Sequence, residues 1–287
     1  MTGIMCALLG AGASGPVQGQ QAYTTPGSYS FIVPAGVTSI SVVCVGGGGG
    51  ALAATQGGSG TGGNLGYANN IAVTPGETLS VAVGAGGSGN LFNDITARGA
   101  RSTLSRGATQ FVSVRGGYWS NGSSGDTNPQ PGLAGTGGSG AGGGGGAGGY
   151  SGNGGAPGSN APAGGGGGGG ADRNIYYPDP NTEVGEGAGG GGGVGLLGQG
   201  ASGTAGAPLG TGGGGGSGGG NGGNQSSLIG GVGGSFGGGG AMGGYVYDFT
   251  SGGFTYLGDG GNGGSGAVRI IWPGNTRQFP STNTGNL

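Results

Sequence analysis

With 287 residues the chain has the length of two ordinary domains, but 95 of those residues are glycine, which leaves too few side chains for two ordinary cores. Charged residues make up only 6%, the net charge is -2, and seven arginines without a lysine or histidine give no clustered basic face of the kind phosphate backbones require. That balance argues against nucleic acid as a partner, and the lack of any run of about 18 apolar residues argues against membrane insertion.

The first fifteen residues, MTGIMCALLGAGASG, have no positive residue ahead of a short apolar part, which argues against a secretory signal. Residues 1–21 read instead as an apolar docking segment, with Ile4, Met5, Leu8 and Leu9 as the contacts to a neighbouring subunit or partner. Cys6 and Cys44 are far apart, lack metal-ligand spacing, and read as buried free thiols.

Residues 22–131 read as the first part of a β frame. Tyr29, Phe31 and Val33 alternate on one face and Ile40, Val42 and Cys44 on another, with Pro34-Ala35-Gly36 as the turn of an antiparallel pair. The device repeats over 71–83, where Pro75-Gly76 turns the chain and Leu79, Val81 and Val83 alternate. TQFVSV at 109–114 is a further strand.

From 132 to 244 glycine clusters dominate: 142–146, 164–170, 189–193, 212–216 and 237–240. Collagen needs glycine at every third position with abundant proline, and 13 prolines beside unbroken glycine runs exclude it. Two readings stay open. One is a bundle of polyglycine II helices, left-handed with three residues per turn, whose bare backbones approach closely enough for hydrogen bonding between helices; the other is flexible linker. Seven glycines at about 3.1 Å each span roughly 22 Å, which makes the spacers turns at the bundle ends.

Residues 245–273 return to strand patterning. YVYDFTSGGFTY reads as an aromatic hairpin around Ser251-Gly252-Gly253, and GAVRIIW as the closing strand, in which Arg269 snorkels or pairs at an edge and Trp272 fills the frame. Residues 274–287 form a polar tail suited to reach a neighbour. Strands at both ends and none read in the middle predict an all-β fold: a β-sandwich frame built from both ends of the chain, with the glycine block inserted and essentially no α-helix.

The strings PGSYSFIVPAGVTSISVVCVGGGGG, VTPGETLSVAVGAGG and GGSGAVRIIW, in that order, resemble the glycine-rich domain of bacteriophage tail fibres and other virion proteins. The resemblance covers roughly residues 23–115 and 258–272. It implies a β frame around polyglycine helices, with variable loops presented at a fibre tip. It also implies an extracellular particle as the location, synthesis in a host cytoplasm, other virion proteins as partners, and a trimeric or single-copy assembly.

Chemistry is poorly provided for. Nine carboxylates are the only stock bases, and the one close group, Asp179 to Glu186 with Asp172 nearby, reads as a solvated loop; an enzyme, a metal site and a cofactor are not expected. G-x-G-x-x-G arises by chance at roughly one position in 27 in a chain one-third glycine, and a P-loop lacks its lysine. Recognition is better supported. Tyr118 and Trp119 open one Asn/Ser/Gly-rich loop, Tyr176 and Tyr177 lie in a second at 171–187, and Tyr247, Phe249, Phe254 and Tyr256 lie in the late hairpin. Rigid aromatics among small polar residues make low-entropy binding surfaces. The bland alternative has the hairpin aromatics cover the edge of the glycine block. Sequence thus predicts a host-receptor adhesin that binds protein or polysaccharide, with a capsid decoration or connector protein as the alternative. Ice binding is disfavoured by the irregular glycine registers.

Overall fold

The computed structural model describes residues 18–52, 58–89, 96–119, 128–139, 142–157, 162–283 and 285–286. The docking contacts Ile4, Met5, Leu8 and Leu9, and Cys6, lie outside the described residues. Among the described residues the fold is all-β without helix, as expected: 13 strands form three antiparallel sheets.

A five-stranded sheet runs in the order β1 (Gly19–Tyr23), β13 (Ala267–Trp272), β3 (Ser39–Val45), β4 (Leu65–Ala72), β8 (Leu133–Gly135). The first and last strands therefore pair, Tyr23 opposite Val268 and Gly19 opposite Trp272, so the two ends of the chain share one sheet as expected. A second sheet is ordered β2 (Gly27–Ile32), β5 (Thr78–Val83), β6 (Ser102–Arg106), β7 (Thr109–Val114). Phe31, Leu79, Val81, Leu104, Val112 and Val114 of this sheet share one core with Ile40, Val42, Cys44, Val268 and Ile270 of the first.

The two Pro-Gly turns act differently from the hairpins that local alternation predicts. β2 pairs with β5 and β3 with β4, while neither turn joins paired strands. Pro34-Ala35-Gly36 and Pro75-Gly76 instead lie side by side, with Val33 N–H on the Glu77 carbonyl and Gly76 N–H on the Val33 carbonyl, both at 2.9 Å. A two-stranded ribbon thus bends from one sheet into the other, with Gly36 and Gly76 supplying φ values of 77° and 83° at the corner. An alternating pattern says which face of a strand is apolar and leaves open which strand lies beside it.

The five-stranded sheet is covered on its other face too. Val43, Val45, Ala267 and Ile271 point away from the first core and meet Ala147, Tyr150, Val194 and Leu196 of the glycine block, together with Phe279 from the polar tail. That tail folds back onto its own sheet: Asn69 gives its side-chain amide to the Phe279 carbonyl at 2.6 Å and accepts the Phe279 N–H at 2.8 Å.

The glycine runs are linked by backbone bonds with a repeat of three. Gly189 and Gly192 donate to Ala171 and Gly168, Gly190 and Gly193 to Gly223 and Gly220, Gly191 and Val194 to Gly239 and Phe236. The carbonyls of the same run accept from Gly144 and Ala147, from Gly213 and Gly216, and from Gly231 and Gly234. Six segments therefore surround this one. The earlier run 46–52 shows the same repeat, with partners 64, 61 and 58, then 100 and 97, then 264 and 261. At each step a Cα faces a neighbour's carbonyl: a Cβ on Gly191 would lie 2.1 Å from the Gly145 oxygen. This close approach is the physical reason for the composition.

Candidate functional site

The third sheet unites the predicted loop and the predicted hairpin. Its order is β12 (Gly253–Tyr256), β11 (Tyr245–Asp248), β10 (Thr182–Gly185), β9 (Ile175–Asp179). Residues 171–187, read as a loop, are in large part a hairpin, and strands do exist in the middle of the chain. Three residues hide them, because Pro178, Pro180 and Asn181 are breakers in a sequence pattern, while here Pro178 sits in the edge strand β9 and Pro180-Asn181 form a two-residue turn. Asp179 Oδ1 holds that turn by accepting the Asn181 N–H at 2.8 Å. Asp248 serves the other turn, accepting the Thr250 N–H at 2.8 Å and the Ser251 hydroxyl at 2.9 Å. The Ser251 hydroxyl, and after it the Thr250 amide, hold the Asp248 carboxyl below its ordinary range. Phe249 N–H donates to the Asn181 carbonyl at 2.8 Å and ties the two turns together.

Register sorts the aromatics onto two faces. Tyr245 stands opposite Tyr256 and Gly185, and Tyr247 opposite Phe254 and Glu183, so these share one face with Ile175 and Tyr177. Tyr176 pairs with Val184 on the opposite face. The sequence treats Tyr176 and Tyr177 as a unit, and the period of two separates them. On the first face the rings form a chain: Tyr177 to Phe249 at 6.4 Å, Phe249 to Tyr247 at 5.0 Å, Tyr247 to Phe254 at 4.4 Å and Phe254 to Tyr245 at 5.6 Å. Tyr177 is 62% exposed, Phe249 49% and Phe254 43%, while Tyr245 is buried at the root. The bland reading, with the hairpin aromatics packed down on the glycine block, does not describe Phe249 and Phe254.

Glu183 organises this face, although the sequence marks it only as one acid of the 179–186 group. One of its carboxylate oxygens accepts the Tyr177 hydroxyl at 3.2 Å, the other the Tyr245 hydroxyl. Arg173 lies over the Tyr245 ring, 4.8 Å from its centroid. The only signal of this role is Glu183 at strand spacing between two turn signals, opposite an aromatic strand, and it needs the pairing to be read. The remaining acids do not converge: Glu186 accepts from the Gln225 amide at 3.4 Å, and Asp172 bonds the Arg173 N–H at 2.8 Å.

Burial first, and the Glu183 bond second, push the Tyr245 phenol up to about 12. Because the folded value lies above the ordinary value of 10.0, the stabilisation is complete below about pH 10 and is lost as pH rises toward about 12. Subtracting the phenolate absorbance titration of Tyr245→Phe from that of the native chain should leave one late step near pH 12. In Glu183→Gln the step should move down. A Tyr245 step at the ordinary value would contradict the arrangement.

Tyr118 and Trp119 are not part of this sheet. Both are half-buried: the Tyr118 backbone packs on Gly49 and its N–H donates to Thr61 Oγ1 at 2.8 Å, and Trp119 bridges Gly60. Tyr118 borders a cavity of about 310 Å³ with Asn64, Arg115 and Gln130. Residues 120–127 of their loop lie outside the described residues. No protein-family model matches the chain, and comparison with curated proteins gives no match either.

Proposed function

We propose that the chain is a non-enzymatic bacteriophage virion protein, a tail-fibre or tail-tip component, that touches the host surface through the exposed aromatic face of the four-stranded sheet. The observation that carries this reading is that face: Tyr177, Phe249, Phe254 and Tyr247 in one ring chain, held by Glu183 and two Asp-stapled turns. Aromatics fixed before binding lose little entropy on contact, and flat rings suit sugar rings and apolar protein patches alike. In this reading the two sheets that share a core form a β-sandwich frame, and the glycine runs are a bundle of polyglycine II helices. The three-residue repeat of backbone partners and the six neighbours of run 189–194 support that assignment. The bundle then serves as a stiff platform for the sheet.

A second reading, a capsid decoration or connector protein, is favoured by one feature. Strand β9 is an exposed edge, and although Pro178 gives no N–H to a ladder, its 175–177 part is open to pairing with a neighbouring subunit.

Immunogold labelling of purified virions with an antibody to the 171–187 hairpin separates the two. Label at fibre tips with blocked adsorption is the expected result, and Tyr177→Ala with Phe249→Ala should then weaken adsorption by about tenfold or more. Label spread over the capsid with normal adsorption would leave the decoration reading. Particles without label, for an antibody that recognises the purified protein, would overturn the virion assignment.

A further inference from the structure

Arg269 sits on β13, the strand next to the sheet edge, and faces the glycine block; of the two expectations for it, snorkelling out or pairing at an edge, burial excludes the first, and its partner Gln20 lies on the edge strand β1. It is only 2% exposed. Its Nε–H donates to Gln20 Oε1 at 3.0 Å, Nη2 donates to the same oxygen, and Nη1 donates to the Leu196 carbonyl at 3.0 Å. A guanidinium has five N–H groups, so one on each terminal nitrogen is left over.

No carboxylate of a described residue pairs with it. The charge that acts on it is another cation, Arg277, itself 7% exposed and donating to the carbonyls of Leu197 at 3.2 Å and of Gly285. Burial and, after it, the Arg277 charge both press Arg269 below its ordinary pKa. Buried charges are ordinarily paired, because an unpaired one forfeits its hydration without return. Here two cations share one buried region without an anion among the described residues.

Arg269 also borders a cavity of about 630 Å³, walled by Ala22, Leu196, Leu197 and Phe236 with Gln20 and Ser217 as polar points. Mostly apolar walls with a few convergent polar groups, at this volume, are the usual make-up of a small-molecule site. We propose that this cavity binds a small organic carboxylate, its two oxygens on the spare Arg269 N–H groups and its body against Leu196, Leu197 and Phe236. A planar two-oxygen anion suits the guanidinium fork, and the apolar walls select against a bare inorganic anion. The site is separate from the aromatic face and does not depend on it.

Calorimetric titration of the full chain tests this with cyclohexanecarboxylate, glucuronate, neutral cyclohexanemethanol and inorganic phosphate. The expected result is binding of one or both carboxylates at least about tenfold tighter than the neutral alcohol, and its loss in Arg269→Gln. Glucuronate as the tighter of the two would identify an acidic sugar, and cyclohexanecarboxylate a hydroxyl-poor acid; either order supports the site. Because Arg269→Gln alters a buried position, Ala201→Phe provides an independent check: Ala201 is exposed on the cavity rim, so a larger side chain there should block binding and leave the unfolding temperature unchanged. No binding of either carboxylate, equal binding of the alcohol, phosphate binding as tight as the carboxylates, or full binding by the folded Ala201→Phe variant would each overturn the proposal.

Discussion

Gly191→Ala is expected to cost about 3 kcal/mol or more in urea or thermal unfolding of the full chain, as much as a large core deletion, although it adds a single methyl group. The Cβ would stand 2.1 Å from the Gly145 oxygen, and that oxygen is itself held by the Gly239 N–H at 2.8 Å. The carbonyl cannot yield without breaking a bond to a third segment, and each of the six surrounding segments is constrained in the same way. Gly253→Ala is the matched control. It lies on an exposed strand with only the Ser251 hydroxyl, 3.2 Å away, to meet the new carbon, and its effect should stay within about 1 kcal/mol. Equal losses for the two variants would mean that the runs are not packed as described.

Tyr150→Ala should be the next most damaging change, at about 3–5 kcal/mol. Tyr150 is 1% exposed, stacks on Phe279 with centroids 5.7 Å apart, approaches Tyr67 at 6.3 Å, and donates its hydroxyl to the Gly195 carbonyl at 3.0 Å. One side chain therefore joins the five-stranded sheet, the glycine block and the returning tail. Tyr150→Phe keeps the stack and loses only the hydroxyl, for about 1 kcal/mol. In Tyr150→Ala, amide exchange should also accelerate over residues 274–283, since Phe279 loses its stacking partner. A Tyr150→Ala loss no larger than that of Tyr150→Phe would contradict this bridging role.

Sequence and structure agree best where composition and alternation carry the information. SISVVCV is apolar at both parities, and a strand of that kind is buried on both faces, as β3 is. TQFVSV and the Tyr245–Tyr256 hairpin are strands where the pattern puts them, because their turns and periods are local. What escapes is pairing. Two corner turns look like hairpin turns from sequence, since Pro and Gly set a bend without saying what the strands meet afterwards. Val184 and Tyr176 share a face only because of a register shift between Thr182 and Val184 that no residue type announces. Tyr150, a lone aromatic in AGGYSGNGG, gives a faint signal: a large ring among glycines has little of its own segment to cover it and must find its partners elsewhere in the chain.

The dense backbone packing around run 189–194 has a thermodynamic consequence. Ordinary domains gain heat capacity on unfolding because they expose apolar side chains, whereas exposed peptide groups lower it. A region that hides peptide groups behind other peptide groups, with scarcely any side chain between, contributes little or negatively to that change. The stability curve of this molecule is therefore expected to be flatter than its length implies, with a shallow optimum and weak loss on cooling.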